Sequence, residues 1–122
     1  MRSLFAGIVA IIIVCKPALA DSKSRWTTDE VVGLRCELVD PVRIENYAFN
    51  NKGLVAVTIG TKDRITPPLW YWRIRDGRLQ LSDADSIQQE FTLLGMRDGI
   101  LTVRRQSGEI VRFRYQFEHR KT

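Results

Sequence analysis

Short runs of alternating apolar and polar residues, separated by turn residues, fill the chain from residue 31 onward. An alternation with a period of two is typical of strands that bury one face. The pattern predicts an all-β meander of eight strands without a crossover helix, which forms an antiparallel barrel or a sandwich. A barrel is favoured because an open sheet leaves two unpaired edges. The predicted strands are 31–39, 43–49, 54–60, 69–75, 78–82, 87–95, 100–105 and 110–118.

The dipeptide Asp76-Gly77 predicts the register of one hairpin. A two-residue type I′ turn there places Ile74 opposite Leu79 and Trp72 opposite Leu81, so apolar residues meet across the two strands. The alternate residues then lie on the other face of the hairpin. They are Tyr71, Arg73, Arg75, Arg78 and Gln80.

Loops of three residues are predicted for two further hairpins, at 51–53 and 106–108, each ending in a left-handed glycine. The second of these loops places Val103 opposite Val111, whereas a two-residue loop would place a charged residue there. The segment 96–100 does not decide between the two loop lengths, because each leaves apolar residues outside.

Strand alternation assigns eighteen residues to the inner face of the barrel. Eight of them are aromatic, so the interior is either tightly filled or lines an apolar pocket. The inward residues are Tyr47, Phe49, Val55, Val57, Ile59, Trp70, Trp72, Ile74, Leu79, Leu81, Phe91, Leu93, Leu101, Val103, Val111, Phe113, Tyr115 and Phe117.

The first twenty residues have the composition of a secretory signal peptide. Arg2 precedes an apolar run at 4–14, and Ala18-Leu19-Ala20 forms a cleavage signal. The run is shorter than the roughly 20 residues that a membrane-spanning helix needs, so export to the periplasm or the outside is expected, with no span after cleavage. The predicted organisation is a signal peptide 1–20, a polar leader and helical turn 21–30, a barrel domain 31–118 and a basic tail 119–122.

Charge and cysteine content add little to the predicted fold and function. Cleavage would remove two of the 19 basic residues and lower the net charge from +5 to +3. Cys36 would then have no intramolecular partner, so either a buried thiol or a disulfide-linked dimer is predicted, and its apolar surroundings favour burial. The segment TTDE at 27–30 has the spacing of a capping box and predicts one helical turn.

Several elements together resemble the small lipocalin-like domains of exported bacterial proteins, which are barrels of the calycin type. The matching elements are Trp26, Gly33, the F-x-x-x-G of Phe49 to Gly53 and the W-x-I-x-D-G-x-L of Trp72 to Leu79. Lipocalins proper carry Gly-x-Trp at the first strand, whereas Leu34 and Arg35 follow the glycine here. The resemblance covers residues 26–117 and implies a barrel.

Residues for catalysis or metal binding are sparse. His119 is the single histidine and lies in the basic tail, so neither a catalytic triad nor a histidine metal site is predicted. Asp83, Asp85 and Glu90 surround one turn, where aspartates usually serve backbone hydrogen bonding. We therefore expect neither an enzyme nor a cofactor.

Two binding functions remain open at this point. In the first, a small apolar or amphiphilic ligand lies in the barrel. The residues expected to line it are Trp70, Trp72, Phe91 and Phe113. In the second, the protein is an inhibitor or immunity-type protein that binds a protein partner through its loops and one outer face. The residues of that face are Tyr71, Arg73, Arg75 and Arg78. Nucleic acid is not expected as a partner, because the tryptophans point away from the arginines and export separates the protein from it.

Overall fold

The computed structural model describes residues 25–118, which form an antiparallel barrel preceded by one helical turn. The predicted signal peptide, the leader before Arg25 and the tail 119–122 with His119 lie outside the described residues. The elements are α1 (Thr28–Val31), β1 (Leu34–Leu38), β2 (Arg43–Phe49), β3 (Leu54–Thr61), β4 (Arg64–Thr66), β5 (Leu69–Arg75), β6 (Arg78–Ser82), β7 (Ile87–Arg97), β8 (Ile100–Arg105) and β9 (Ile110–Phe117).

Eight of the strands form a closed ring. The order around the ring is β2-β1-β9-β8-β7-β6-β5-β3, and β3 pairs with β2 to complete it. Each strand is antiparallel to its neighbours, so the barrel has the up-and-down topology that the alternation predicts. Closure leaves no long unpaired edge around the ring.

The short strand β4 continues β5 in the same register along β3. Ile59 lies opposite Thr66, and Ala56 lies opposite Leu69. Between these pairs Pro67 and Pro68 lack the amide hydrogens that a ladder needs, although the Pro68 carbonyl still accepts a bond from Val57 N–H at 3.1 Å. The prediction of a loop between 60 and 69 was therefore wrong, because proline interrupts the donors of a strand without ending its extended course.

The predicted turns determine the register as expected. Asp76 and Gly77 have φ angles of 55° and 79°, as a type I′ turn requires, and Trp72 lies opposite Leu81. The three-residue loop 106–108 gives its predicted pair, Val103 opposite Val111, and the three-residue loop 51–53 places Phe49 opposite Val55.

An irregularity in β7 determines the loop length in the segment 96–100, which the sequence alone does not decide. Leu93 pairs with Val103 and Gly95 with Thr102, so Leu94 is an extra residue in the ladder. This bulge lets a two-residue turn at 98–99 keep the apolar residues inside.

Packed side chains fill the barrel interior. Twelve of the eighteen predicted inward residues are buried, five are partly buried, and Phe117 at the end of β9 is 38% exposed. The Tyr47 ring contacts those of Phe49, Phe91 and Phe113, with centroids 5.9–6.1 Å apart. Such tilted and edge-on contacts are the favoured geometry for aromatic packing.

One end of the barrel, called here the capped end, is covered by the segment that precedes β1. Trp26 N–H donates to the Gly77 carbonyl at 2.9 Å, and the indole Nε1–H donates to the Phe91 carbonyl at 3.1 Å. Glu30 accepts from Thr27 N–H at 2.9 Å, which confirms the predicted helical turn. The opposite end, called the loop end, carries the connections β1–β2, β3–β4, β6–β7 and β8–β9.

Candidate functional site

The four residues predicted to line a ligand pocket lie in two places. Phe91 and Phe113 pack edge to face in the core, with ring centroids 6.0 Å apart. Trp72 instead packs against Phe49 at 6.3 Å and donates its indole N–H to the Asn50 carbonyl at 3.0 Å. Trp70 is partly buried and packs against the core.

The exposure of the inner residues indicates how much free space surrounds them. Phe113 is 1% exposed, Phe91 is 3% exposed, and Val55 and Val103 are fully buried. Exposures this small mean that these side chains are closely packed on all sides by their neighbours. A ligand in this part of the barrel would have to displace packed side chains, which protein cores resist.

A buried ion pair lies among the apolar side chains near the loop end. Arg105 on β8 and Glu45 on β2 form two parallel hydrogen bonds of 2.7 and 2.9 Å. Tyr47 hydroxyl donates to the same carboxylate at 2.6 Å, and Arg105 also donates to the Gln89 side-chain oxygen at 3.1 Å. The guanidinium lies 5.8 Å from the centroid of the Phe91 ring. The paired geometry satisfies charges that would otherwise be costly to bury.

The same ion pair shifts the pKa values of Arg105 and Tyr47. The hydrogen bonds that Arg105 donates to Glu45 raise the pKa of Arg105 above its ordinary value, so the guanidinium stays charged. Burial, followed by the charge of Glu45, raises the pKa of the Tyr47 hydroxyl, which stays protonated and acts as a donor.

Further charged contacts connect this pair to the surface at the loop end. Arg105 Nε–H donates to Glu109 at 3.2 Å, Glu109 contacts Arg43 at 3.5 Å, and Arg43 contacts Asp40 at 3.4 Å. We call Glu45, Arg105, Glu109, Arg43 and Asp40 the ionic chain. It joins the interior of the barrel to the β1–β2 loop.

Sequence reasoning missed the ionic chain, although its inner members follow from strand alternation. Glu45 has the same parity as Tyr47, and Arg105 has the same parity as Val103. One acid and one base at inward positions predict an internal ion pair, because each charge needs a buried partner.

The residues predicted to bind a protein partner lie together on the outer surface, and we call them the basic hairpin face. Tyr71 is 53% exposed. Arg73 donates to Gln80 at 2.9 Å, and Arg75 lies directly opposite Arg78. The face consists of Tyr71, Arg73, Arg75 and Arg78.

Arg25 adds another cation beside this face. A side-chain carbon placed on Gly77 would lie 3.0 Å from the guanidinium carbon of Arg25, so that side chain lies across the β5–β6 turn. Within residues 25–118, no carboxylate lies within 4.0 Å of the cationic nitrogens of Arg25, Arg73, Arg75 or Arg78. The turn therefore carries a concentration of positive charge.

Cys36 and Asp83 have structural surroundings that account for them. Cys36 is buried inside the barrel, and burial raises the pKa of its thiol, so a disulfide-linked dimer would require the core to open. Asp83 accepts hydrogen bonds from the N–H groups of Asp85 and Ser86 at 2.8 and 2.9 Å, which shape the β6–β7 turn. These bonds lower the pKa of the Asp83 carboxyl.

A groove of about 790 Å³ crosses the outer surface of β9, β1, β2 and β3. Its lining includes the small side chains of Ala48 and Ala56 and both charge signs, with Arg35 and Arg114 as well as Glu37 and Asp98. The balanced charge gives no preference for an anionic or a cationic ligand.

Two kinds of feature are absent from residues 25–118. In this part of the chain, no group of three or more histidine, cysteine, aspartate or glutamate residues is placed to hold a metal ion. No helix there is long and apolar enough to cross a membrane.

Comparisons with known proteins gave no relative. No protein-family model matches the chain, and no curated protein or solved structure matches it. Function is therefore inferred from the geometry of the described residues.

Proposed function

We propose that this protein is an exported, non-enzymatic binding domain that recognises an acidic partner protein through the basic hairpin face. An inhibitor or immunity-type protein would act in this way. The observation that carries the proposal is the filled interior, where Phe113 is 1% exposed and Phe91 is 3% exposed. An outer surface needs no rearrangement of the core to bind a partner.

The charges of the hairpin support an acidic partner. Arg75 and Arg78 occupy directly opposite positions, where like charges destabilise a strand pair. Arg25 lies across the same turn. A carboxylate-bearing surface would relieve this repulsion and pair with guanidinium groups in a bidentate geometry.

Tyr71 supplies an apolar contact next to these charges. It lies opposite Leu54 on the outer face, and Leu69 two residues before it is 60% exposed. Exposed tyrosine beside arginine is typical of the residues that dominate protein interfaces.

The alternative is the lipocalin-like function, with a small ligand in the barrel.

Site-specific photo-crosslinking in the native host tests the proposal. A photoreactive residue at Tyr71 should give an adduct of discrete mass with one protein, identified by mass spectrometry. Arg75→Glu/Arg78→Glu should remove the adduct, because it reverses both charges. The matched control, Arg104→Glu/Arg112→Glu on the outer faces of β8 and β9, should keep it.

Two results would overturn the proposal. One is an adduct that persists in Arg75→Glu/Arg78→Glu or disappears equally in the control. The other is a saturable change in tryptophan fluorescence with a fatty acid at micromolar concentration, together with loss of that change in Phe113→Ala. The second result would indicate a ligand in the barrel.

A further inference from the structure

The outer wall of β7, β8 and β9 carries four arginines around one threonine. Thr102 on β8 lies opposite Gly95 on β7 and Arg112 on β9. Arg104 follows two residues later on β8, and two further arginines occupy diagonal positions beside Thr102. Such positions are about 5–8 Å apart, so the four arginines are close neighbours. We call this set the arginine patch: Gly95, Arg97, Thr102, Arg104, Arg112 and Arg114.

Gly95 leaves the middle of the arginine patch uncovered, and the fold does not require a glycine there. Its φ angle lies outside the left-handed region, unlike those of the six other glycines in residues 25–118. A side-chain carbon placed on it would have no heavy atom within 4 Å apart from its chain neighbours. It follows the extra residue Leu94 of the β7 bulge, but only a bulge with a left-handed glycine needs that residue type. A glycine inside a strand often marks a place where a ligand approaches the backbone.

The charges of the arginine patch favour a doubly charged anion. Within residues 25–118, three of its four arginines have no carboxylate oxygen within 4.0 Å. The fourth, Arg97, contacts Asp98 at 3.8 Å, and Glu37 lies opposite Arg114 on the neighbouring strand. The four arginines and these two carboxylates leave a net charge of +2.

Two other carboxylates lie beyond the edge of the patch and have partners of their own. Glu90 accepts from the Gln80 side chain at 2.8 Å. Glu109 accepts from Arg105 at 3.2 Å and contacts Arg43 at 3.5 Å. Strand β7 separates the patch from the basic hairpin face on β5 and β6. The patch is therefore a second basic surface with its own surroundings.

A phosphate group fits this arrangement better than a carboxylate does. A planar carboxylate is satisfied by one guanidinium in a bidentate pair. The arginine patch instead offers guanidinium groups from three strands and the Thr102 hydroxyl on one side of the sheet. A phosphate monoester carries about two negative charges at neutral pH and three strong acceptor oxygens, so it can use donors from several directions.

The rest of a small molecule has a place next to the patch. The groove of about 790 Å³ on the outer surface is lined at one side by Ile100 and Arg114, which border the patch. Its lining also includes the amide side chains of Asn46 and Gln116, which can bind hydroxyl groups. A flat membrane surface would use neither an open glycine nor an adjoining groove.

We propose that the arginine patch binds the phosphate group of a small soluble phosphorylated molecule, whose remaining part lies in the adjoining groove. The phosphate occupies the open space beside Gly95, where Arg104 and Arg112 donate to it from two strands. This site is separate from the basic hairpin face and does not depend on the function proposed for that face.

NMR amide shifts of the folded protein, titrated with three sugars of the same ring, test the inference. The probes are glucose 6-phosphate, glucuronate and glucose. Glucose 6-phosphate should shift the amides of Gly95, Thr102 and Arg112 in a saturable way, and inorganic phosphate should shift the same amides. Glucuronate carries a carboxylate in place of the phosphate, so it should leave these amides unchanged, as should glucose.

Matched variants separate the open glycine from the charges. Gly95→Val keeps every charge and should abolish saturable binding of glucose 6-phosphate, because its side chain fills the open space. Arg104→Gln/Arg112→Gln should weaken binding at least about tenfold, since it removes two charged donors. Arg75→Gln/Arg78→Gln removes the same charge from the basic hairpin face and should leave the affinity unchanged.

Four results would overturn the inference. Glucuronate that binds as tightly as glucose 6-phosphate would show that no phosphate site exists. Equal weakening in Arg75→Gln/Arg78→Gln would indicate attraction to net charge alone. Unchanged binding in Gly95→Val would place the ligand elsewhere. Binding to phosphatidylglycerol vesicles without binding of glucose 6-phosphate would assign the patch to a membrane surface.

Discussion

Removing one partner of the Glu45–Arg105 pair should destabilise the barrel severely. The two side chains are 11% and 9% exposed, so a single substitution leaves a charge without a partner inside the core. Breaking a buried pair in this way costs about 3–5 kcal/mol. A domain of this size has a total stability of about 5–15 kcal/mol, so Arg105→Met alone should remove a large part of it.

Replacing both charges should cost less than the two single changes together. In Glu45→Leu/Arg105→Met no charge is left inside, but the Tyr47 hydroxyl loses its 2.6 Å acceptor. An orphaned buried hydroxyl costs about 1–3 kcal/mol. The triple variant with Tyr47→Phe removes this donor as well and should recover most of that loss.

Urea denaturation followed by tryptophan fluorescence measures these free energies of unfolding. The expected order is wild type, then the triple variant, then the double variant, with both single variants least stable. Losses of less than about 1 kcal/mol in the single variants would refute the reasoning, since exposed pairs are worth that little. Additive losses in the double variant would refute it too, because contacting residues couple.

Three further outcomes follow from other parts of the barrel. Pro67→Thr restores a backbone donor on the free edge of the β4–β5 segment, so the variant should self-associate more than wild type in sedimentation velocity. A variant that stays monomeric would show that this edge is protected in another way. Backbone hydrogen bonds lower the pKa values of Asp40 and Asp83, so their stabilising contribution is complete above the unfolded pKa of about 3.9 and is lost as the pH falls through the folded values. The melting temperature should therefore fall in acid less steeply in Asp40→Asn/Asp83→Asn than in wild type, and parallel curves would contradict this. The buried Cys36 thiol, whose pKa burial raises, should react with a thiol reagent only in denaturant, and rapid reaction of the folded protein would show that the core opens.

The sequence predicted most of the barrel because each strand had one clearly apolar face and each short turn had its own chemistry. The Asp76-Gly77 turn predicts the register in which Trp72 faces inward and Arg73 faces outward, and the structure has this register. Pro67 and Pro68 misled the prediction, since an extended segment that lacks donors has the composition of a loop.

Contacts between distant strands could not be predicted in the same way. The closure of β1 on β9 joins Cys36 to Tyr115, and no local pattern specifies which strands meet across such a distance.

The pairing of β1 with β9 determines when the protein can fold. β1 pairs with β9, the last strand of the barrel, and Trp26 bonds to Phe91, a residue 65 positions later. Neither contact can form until these later residues have been made. β1 therefore stays without its β9 partner until then, and a factor that shields the apolar side of β1 during that interval would raise the folded yield.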